Sequence, residues 1–333
     1  MQIFNDKLFI NPIKIIKAFD KESFTKAFDL LEHYKKNNFY LLGYIKYEAY
    51  NYFLNINNNY KSKLPVLYFE VYEKYQKYKY DIIYSIGRDC SCAMYLQKQG
   101  LRILSGPFDW LTNVNDIKDR LNFILNDFND FLNLEDLKFL PKDPNVFNDE
   151  ACDYYENLRN GFYYYHDFHK NVPLEEAFPQ VKEKYNRRIG RFIRNLKTKK
   201  KVLLVWFSHI PTADEALIPL CEQICQKYGK QIDFLIIEND DSKADDDIEK
   251  KFLATNIVMY KLKTASLNEK GNPTTMGREE VCTKLFQNYI IIKTPKECFK
   301  CFLQKLFSIK NDCKNKIKRK VITIMGIKIT FKL

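Results

Sequence analysis

Apolar runs alternate with polar, Lys- and Asp-rich stretches along most of the chain, and the period of each run sets the element it predicts. Phe24, Ala27, Phe28, Leu31 and Tyr34 recur at helical spacing behind Asp20, a residue type that caps helix N-termini, so an amphipathic helix is expected there. FYLLGYIKYEAYNYF follows, then the Asn-rich turn region NINNNYKSK and the strand-like LPVLYFEVY. The polar EKYQKYK (73–79) reads as a linker. YDIIYSIG is a short β-prone run, and CAMYLQKQG reads as a helix stopped by Gly100. LRILSGPFDWL predicts another strand-like run ending in a Pro-Phe-Asp-Trp turn. Residues 115–137 carry helical periodicity, and the aromatic NGFYYYHDFH predicts a strand. A long amphipathic helix is expected from about Leu174 to Leu196, with Val181, Tyr185, Ile189, Phe192, Ile193 and Leu196 on its apolar face.

KKVLLVWFSH, a helix near 213–228 and QIDFLIIEN form a strand–helix–strand unit whose connection is long enough for a parallel crossover. The acidic NDDSKADDDIEKK (239–251) reads as a solvated loop, NIVMYKLK as one more strand and 277–290 as one more helix. Strands alternating with helices predict an α/β fold, a layered sheet with flanking helices, preceded by a small α+β N-terminal segment. Three pieces result: residues 1–79, residues 80–300 and a tail, 301–333. The tail's KVITIMGIKITFKL alternates apolar and basic residues like a hairpin with one sticky face.

Composition narrows the class. A chain of 333 residues with 46% hydrophobic and 29% charged residues is globular and long enough for two domains. The net charge of +12 is concentrated in RRIGRFIRNLKTKKK (187–201) and the last 30 residues. No aromatic-basic nucleic-acid motif accompanies either segment, so no nucleic-acid partner is expected. The nine cysteines are odd in number, MQIFNDKLFINPIKII lacks the apolar core and cleavage site of a signal peptide, and no window approaches 18 consecutive apolar residues. A cytosolic protein with reduced thiols is therefore expected.

Cys90 is the first chemical candidate. A thiol at a helix N-terminus feels the positive helix end, which lowers its pKa and raises its thiolate fraction. The plainer reading is a small buried core residue, and Cys92, inside the helix, fits that reading better. The histidines stand at 33, 166, 169 and 209. His166, at a predicted strand end, has the chemistry to accept a thiol proton and later return it to a leaving group, or to be a core histidine satisfied by a carbonyl. His169 reads as surface, and His209, next to Pro211, is a reserve candidate. Asp109 and Asp167 rank equally as the group that orients the imidazole, although Asp167 adjoins His166 and successive strand side chains face opposite ways. Arg187, Arg188, Arg191 and Arg194 line the side of the long helix opposite its apolar face, as a solvated surface or as a dock for phosphate, pyrophosphate or an anionic glycan.

No cofactor and no metal are expected. Neither GxGxxG nor a phosphate loop occurs, and the acidic run lacks the glycine and terminal glutamate of a calcium loop. Cys298 and Cys301 make one CxxC, with Cys282 and Cys313 at irregular distances, whereas a zinc site needs a second close pair. Cys221 and Cys225, one helical turn apart, read as core.

Three stretches resemble known families. FYLLGYIKYEAYNYF with LPVLYFEVYEKYQ is similar to the N-terminal part of aminodeoxychorismate synthase component I over about 75 residues. The chorismate and magnesium site of that family lies in a large catalytic domain with no counterpart here, so the resemblance implies a detached or fused fragment without synthase activity; Gly43, Tyr47 and Glu48 then read as core and turn residues. YSIGRDCSCAMYLQKQGLRILSGPFDWL, with FYYYHDF and VKEKYNRRIGRFIRNLKTKKKVLLVWF, resembles the bacterial family described as "putative papain-like cysteine peptidases" over about 200 residues. That resemblance implies a papain-like or analogous fold, Cys90 in the nucleophile position and His166 in the general-base position, with Asp109 and Trp110 in the PFDW signature. A papain sheet is largely antiparallel, whereas residues 201–237 predict a parallel pair. The tail resembles the hydrophobic-basic ends of surface-polysaccharide biosynthesis enzymes, which implies docking to a membrane surface, peripheral to the inner membrane, or to polysaccharide-assembly proteins.

The expected function is a cysteine hydrolase or acyltransferase acting on an acyl, peptide or glycan substrate in surface-polysaccharide biosynthesis. Two alternatives stand beside it. One is a glycan transferase or sugar-modifying enzyme; the other is a non-catalytic interaction module carrying the synthase fragment.

Overall fold

A computed structural model describes residues 2–4, 7–9, 11–53, 63–75, 77–113, 116–141, 151–211, 215–229, 231–244, 247–267, 273–274, 277–292, 307–314, 317–324 and 327–332. They divide into two compact units, Met1–Lys79 with Arg278–Ile290, and Tyr80–Gly277 with Ile291–Leu333.

In the first unit, β1 (Lys14–Ala18), β2 (Tyr40–Ile45) and β3 (Leu67–Tyr72) form an antiparallel sheet with β3 central. Helix α1 (Lys21–Lys36) begins as the sequence predicts: the Asp20 carboxylate accepts from the Ser23 amide at 2.8 Å, and the Ser23 hydroxyl accepts from the Asp20 amide at 3.1 Å. Phe24, Ala27 and Leu31 bury its apolar face against Ile16, Ala18, Leu67 and Val71. Tyr47 is not core; it stands 87% exposed. The helix Glu279–Phe286, read in the sequence as part of the second piece, groups with this unit.

Two sheets carry the core of the second unit. The central one is built from β4 (Ile82–Ser85), β9 (Lys201–Ser208), β10 (Gln231–Asn239), β11 (Ile248–Ala254) and β12 (Ile257–Leu262), in the order β11-β12-β10-β9-β4. β4, β9, β10 and β12 run parallel, and β11 joins the edge antiparallel. The strand–helix–strand unit read in the sequence is therefore a parallel crossover, with Leu217–Tyr228 as its helix. This parallel sheet departs from the largely antiparallel one that a papain-like arrangement implies. The second sheet is antiparallel, in the order β5-β8-β7-β6, from β5 (Leu111–Asn113), β6 (Leu137–Leu140), β7 (Cys152–Asn157) and β8 (Phe162–His169).

Both faces of the central sheet are covered, so its strands read as near-continuous apolar runs. Tyr84, Leu204, Trp206, Phe234 and Ile236 pack in one core with Phe162 and Tyr164 of the second sheet and with α3 (Ile117–Leu125) and α4 (Leu174–Thr198). Val181, Tyr185, Phe192 and Leu196 supply the buried face of α4, with Ile189 and Ile193 at its margin, as the periodicity predicts. α2 (Cys90–Lys98) lies on β4 and β9, where Tyr95 meets Phe207 edge to face at 5.5 Å.

Four expectations are corrected. LRILSG forms no strand, because Arg102 and the Gly106 amide both donate to Asp109 and hold residues 101–110 as a compact loop. Helical periodicity over 115–137 ends at Leu125, where Asp127, Phe128 and Asp130 take φ values of 51°, 60° and 54°. The acidic stretch contributes part of strand β11 rather than only a loop. The tail makes three antiparallel strands, Phe307–Lys314, Ile317–Ile324 and Ile327–Lys332, instead of one hairpin. Among the described residues, no helix is long and apolar enough to cross a membrane.

Candidate active site

The backbone around Cys90 is fixed by strand pairing followed by a helix cap. Parallel bonding between β4 and β9 continues past the strand end, with Ile86 N–H donating to Val205 O at 2.8 Å and Arg88 N–H to Phe207 O at 3.0 Å. Asp89 then caps α2 in an extended conformation, its carboxylate accepting from the Ser91 amide at 2.8 Å and from the Ser91 hydroxyl at 2.5 Å. Cys90 is thereby the first helical residue, on the carboxyl edge of a parallel sheet, the edge at which open α/β sheets take ligands. Gly87 lets the chain make this turn. A Cβ there would stand 2.3 Å from Cys92 Cβ and 2.9 Å from its sulfur. Cys92 itself is core, its thiol donating to Val205 O at 3.4 Å.

The thiol at Cys90 is partly exposed, and its pKa is pushed up to about 12, first by burial and then by the Asp89 charge. This corrects the lowered pKa expected from the helix end. A helix N-terminus contributes about 0.3–1 kcal/mol, under one pKa unit, and here burial outweighs it. At neutral pH Cys90 is a thiol that needs a proton acceptor.

His209 follows β9 directly. Its Nδ1 lies 3.8 Å from Asp89 Oδ2 and, among the described residues, makes no hydrogen bond. Burial lowers the imidazole's pKa, opposed by Asp89. Below this loop Arg120 is fully buried between the rings of Phe108 and Phe162, at 5.0 and 5.3 Å. It donates to the carbonyls of Arg88 (3.0 Å), Phe108 (3.2 Å) and Leu111 (2.8 Å), tying the Cys90 loop to the PFDW turn.

The other candidates have contacts of their own. His166, on β8, meets Trp110 edge to face at 5.8 Å, and neither Asp109 nor Asp167 bonds to it. The Asp109 carboxylate accepts from Arg102 Nε at 2.5 Å and from the Gly106 amide at 2.9 Å, which makes it the clasp of its own turn. Burial raises its pKa, with Arg102 opposing. Asp167 faces the opposite side of β8, as strand alternation requires, and accepts from the Tyr185 hydroxyl at 2.8 Å while pairing with Lys184.

The arginines do not form one exposed row. Arg187 is exposed and pairs with Glu183 one turn back at 3.1 Å. Arg188 lies over the Tyr185 ring at 5.6 Å, and Arg191 donates to Ser105 O at 2.6 Å. The last two are partly buried, and Arg191 fastens α4 to the 101–110 loop.

Sequence reasoning does not single out Asp89 or Arg120, and it holds His209 in reserve. Asp followed by an apolar-periodic run was a readable cap signal at Asp89. Arg120 sits among Ile117, Leu121 and Ile124, all fully buried, so its place on the apolar side of α3 was readable too. Among the described residues, no three or more His, Cys, Asp or Glu side chains are grouped to hold a metal ion. Cys298 and Cys301 lie outside the described residues.

Residues 81–238 match the family model described as "Putative papain-like cysteine peptidase". An uncharacterized protein of Acanthamoeba polyphaga mimivirus is 27% identical over 194 residues, which cover 53% of this chain and 86% of the viral protein. No solved structure matches significantly. The family match takes in Cys90, the PFDW turn, His166 and His209, while the resemblances of residues 1–79 and of the tail rest on their own motifs.

Proposed function

We propose that the second unit is a thiol-dependent hydrolase or acyltransferase in which Cys90 attacks an acyl, amide or ester carbon. The observation that carries this reading is the placement of Cys90 at the first helical position on the carboxyl edge of the parallel sheet, with an imidazole at the same edge. The family resemblance agrees with it, since the matched segment contains that cysteine. The tail's resemblance suggests a substrate in surface-polysaccharide assembly, so esters and amides carried on glycans are the first to try, and peptides the second.

The test is turnover of activated esters by the wild type and by Cys90→Ala. The reading expects a burst of leaving group in the wild type and none in the variant. Equal turnover by Cys90→Ala overturns it.

A second reading has one observation in its favour. Carboxyl edges of parallel sheets also take nucleotides, so a sugar-modifying enzyme fits this topology. It expects sugar-nucleotide binding that survives Cys90→Ala.

A further inference from the structure

We infer that His209 takes the Cys90 proton, and that Asp89 is the positioning residue for its imidazole. The inference rests on the thiol chemistry proposed above and adds the identity of the base.

Register is the first argument. β4 and β9 pair with Ile82 opposite Val202 and Ser85 opposite Val205, a constant offset of 120 residues. The bond from Arg88 N to Phe207 O carries the pairing beyond the end of β4, and the same offset sets residue 209 opposite residue 89. Sequence neighbours of Cys90 and of His209 therefore leave the sheet side by side, although about a third of the chain separates them.

Side-chain geometry is the second. His209 Nδ1 faces Asp89 Oδ2 at 3.8 Å and, among the described residues, has no hydrogen bond. A modest shift closes that gap, and catalytic hydrogen bonds are commonly long before substrate arrives. The backbone that presents the imidazole is held firmly. Ser208 Oγ donates to Ile210 O at 2.7 Å and accepts from Ile210 N at 3.0 Å, and Thr264 Oγ1 donates to Ser208 O at 2.7 Å. Asp109 is committed to Arg102 and Gly106, and Asp167 to Tyr185 and Lys184.

The charges agree. Asp89 and Arg88 act on the imidazole, and Arg120 acts on Asp89 from α3. Burial keeps the imidazole neutral near pH 7, ready to accept a proton.

The step balances within the site and the substrate. The Sγ–H proton of Cys90 moves to His209 Nε2, the Nδ1–H donates to Asp89, and the sulfur forms a bond to the acyl carbon. The tetrahedral intermediate expels the leaving group, which takes the proton from Nε2, and an acyl thioester remains. Water, losing a proton to Nε2, then releases the acid and restores the thiol.

The experiment is the pH profile of Cys90 alkylation by iodoacetamide, read by peptide mass spectrometry, in the wild type and in His209→Ala, His209→Gln, His166→Ala and Asp89→Asn. The asparagine keeps an oxygen to cap Ser91, so the helix start survives. The wild type should show an inflection in the imidazole range. Both His209 variants should lose it and fall about 100-fold at neutral pH, within the usual contribution of a general base. Free imidazole in the buffer should restore much of the His209→Ala rate, which a merely structural loss would not allow. Asp89→Asn should move the inflection, and His166→Ala should match the wild type.

Retention of the inflection in His209→Ala, or its loss in His166→Ala, overturns the assignment while leaving the thiol chemistry standing. An ordinary thiol titration in every variant, the wild type included, overturns both.

Discussion

Asp167→Ala should cost folding stability and leave the chemistry of Cys90 untouched. The carboxylate is nearly buried and holds two groups of α4, the Tyr185 hydroxyl at 2.8 Å and the Lys184 ammonium. A hydrogen bond to a charged acceptor contributes about 1.5–3 kcal/mol, and its loss strands the Tyr185 hydroxyl, whose residue is 0% exposed. The Lys184 side chain is 28% exposed, so its ion pair adds only about 1 kcal/mol after solvent screening. The sum is about 2.5–4 kcal/mol, a fall in Tm of roughly 5–16 °C for a unit of this size. Tyr185→Phe alone should cost about 1.5–3 kcal/mol. The double variant should fall short of the sum of the two single losses by about 2 kcal/mol, because both delete the same bond. Urea and thermal unfolding measure these values, with the alkylation rate of Cys90 in the folded protein as the control. The reasoning is refuted if Asp167→Ala leaves Tm unchanged and slows alkylation, the pattern of a residue that orients a catalytic imidazole.

Gly87→Ala should cost about 3 kcal/mol or more, because its Cβ would stand 2.3 Å from Cys92 Cβ, which the α2 backbone holds in place, and 3.3 Å from the backbone Phe207 O; thermal unfolding reads it. Asp109→Asn should cost about 3–5 kcal/mol by leaving the Arg102 guanidinium without its carboxylate in a nearly buried position, read by urea unfolding. Alkali should unfold the protein. The thiols of Cys90, Cys92, Cys221 and Cys282 are all raised to about 12 in the folded state from an ordinary value of 9.0. The unfolded chain thus loses these protons first: their stabilisation is complete below pH 9 and is lost as pH rises towards 12, at up to about 1.4 kcal/mol per thiol per pH unit. A urea midpoint that held constant from pH 8 to 11 would refute this.

Local patterns made much of the architecture legible. β9 and β10 announce themselves as continuous apolar runs because both faces of their sheet are covered, and α4 shows its buried face at helical spacing. The Asp20 cap was readable for the same local reason. Features set by distant partners were not. LRILSG has the composition of a strand, and only Asp109, seven residues on from Arg102, shows why it curls. The helix after Asp116 stops at Leu125 because Phe128 turns its ring into the cluster of Phe108, Phe131 and Phe192, at 5.3, 5.4 and 5.6 Å, which helical backbone does not do.

The candidate site followed the same rule. Cys90 stood out from the glycine and helix start beside it, whereas the carboxylate neighbour of His209 depends on strand register across 120 residues. His166 and Asp167, adjacent in the sequence, are parted by strand alternation. The raised thiol pKa was hidden as well, since burial beneath the helix start is a tertiary property.

The most direct test of the account is covalent trapping. The protein is mixed with an activated acyl ester, quenched in acid within the first turnover and mapped by peptide mass spectrometry. The account predicts one acyl group on Cys90, released by neutral hydroxylamine as a thioester must be, and no adduct in Cys90→Ala. Turnover of the ester with no acyl group on Cys90, or an equal burst from Cys90→Ala, would contradict it.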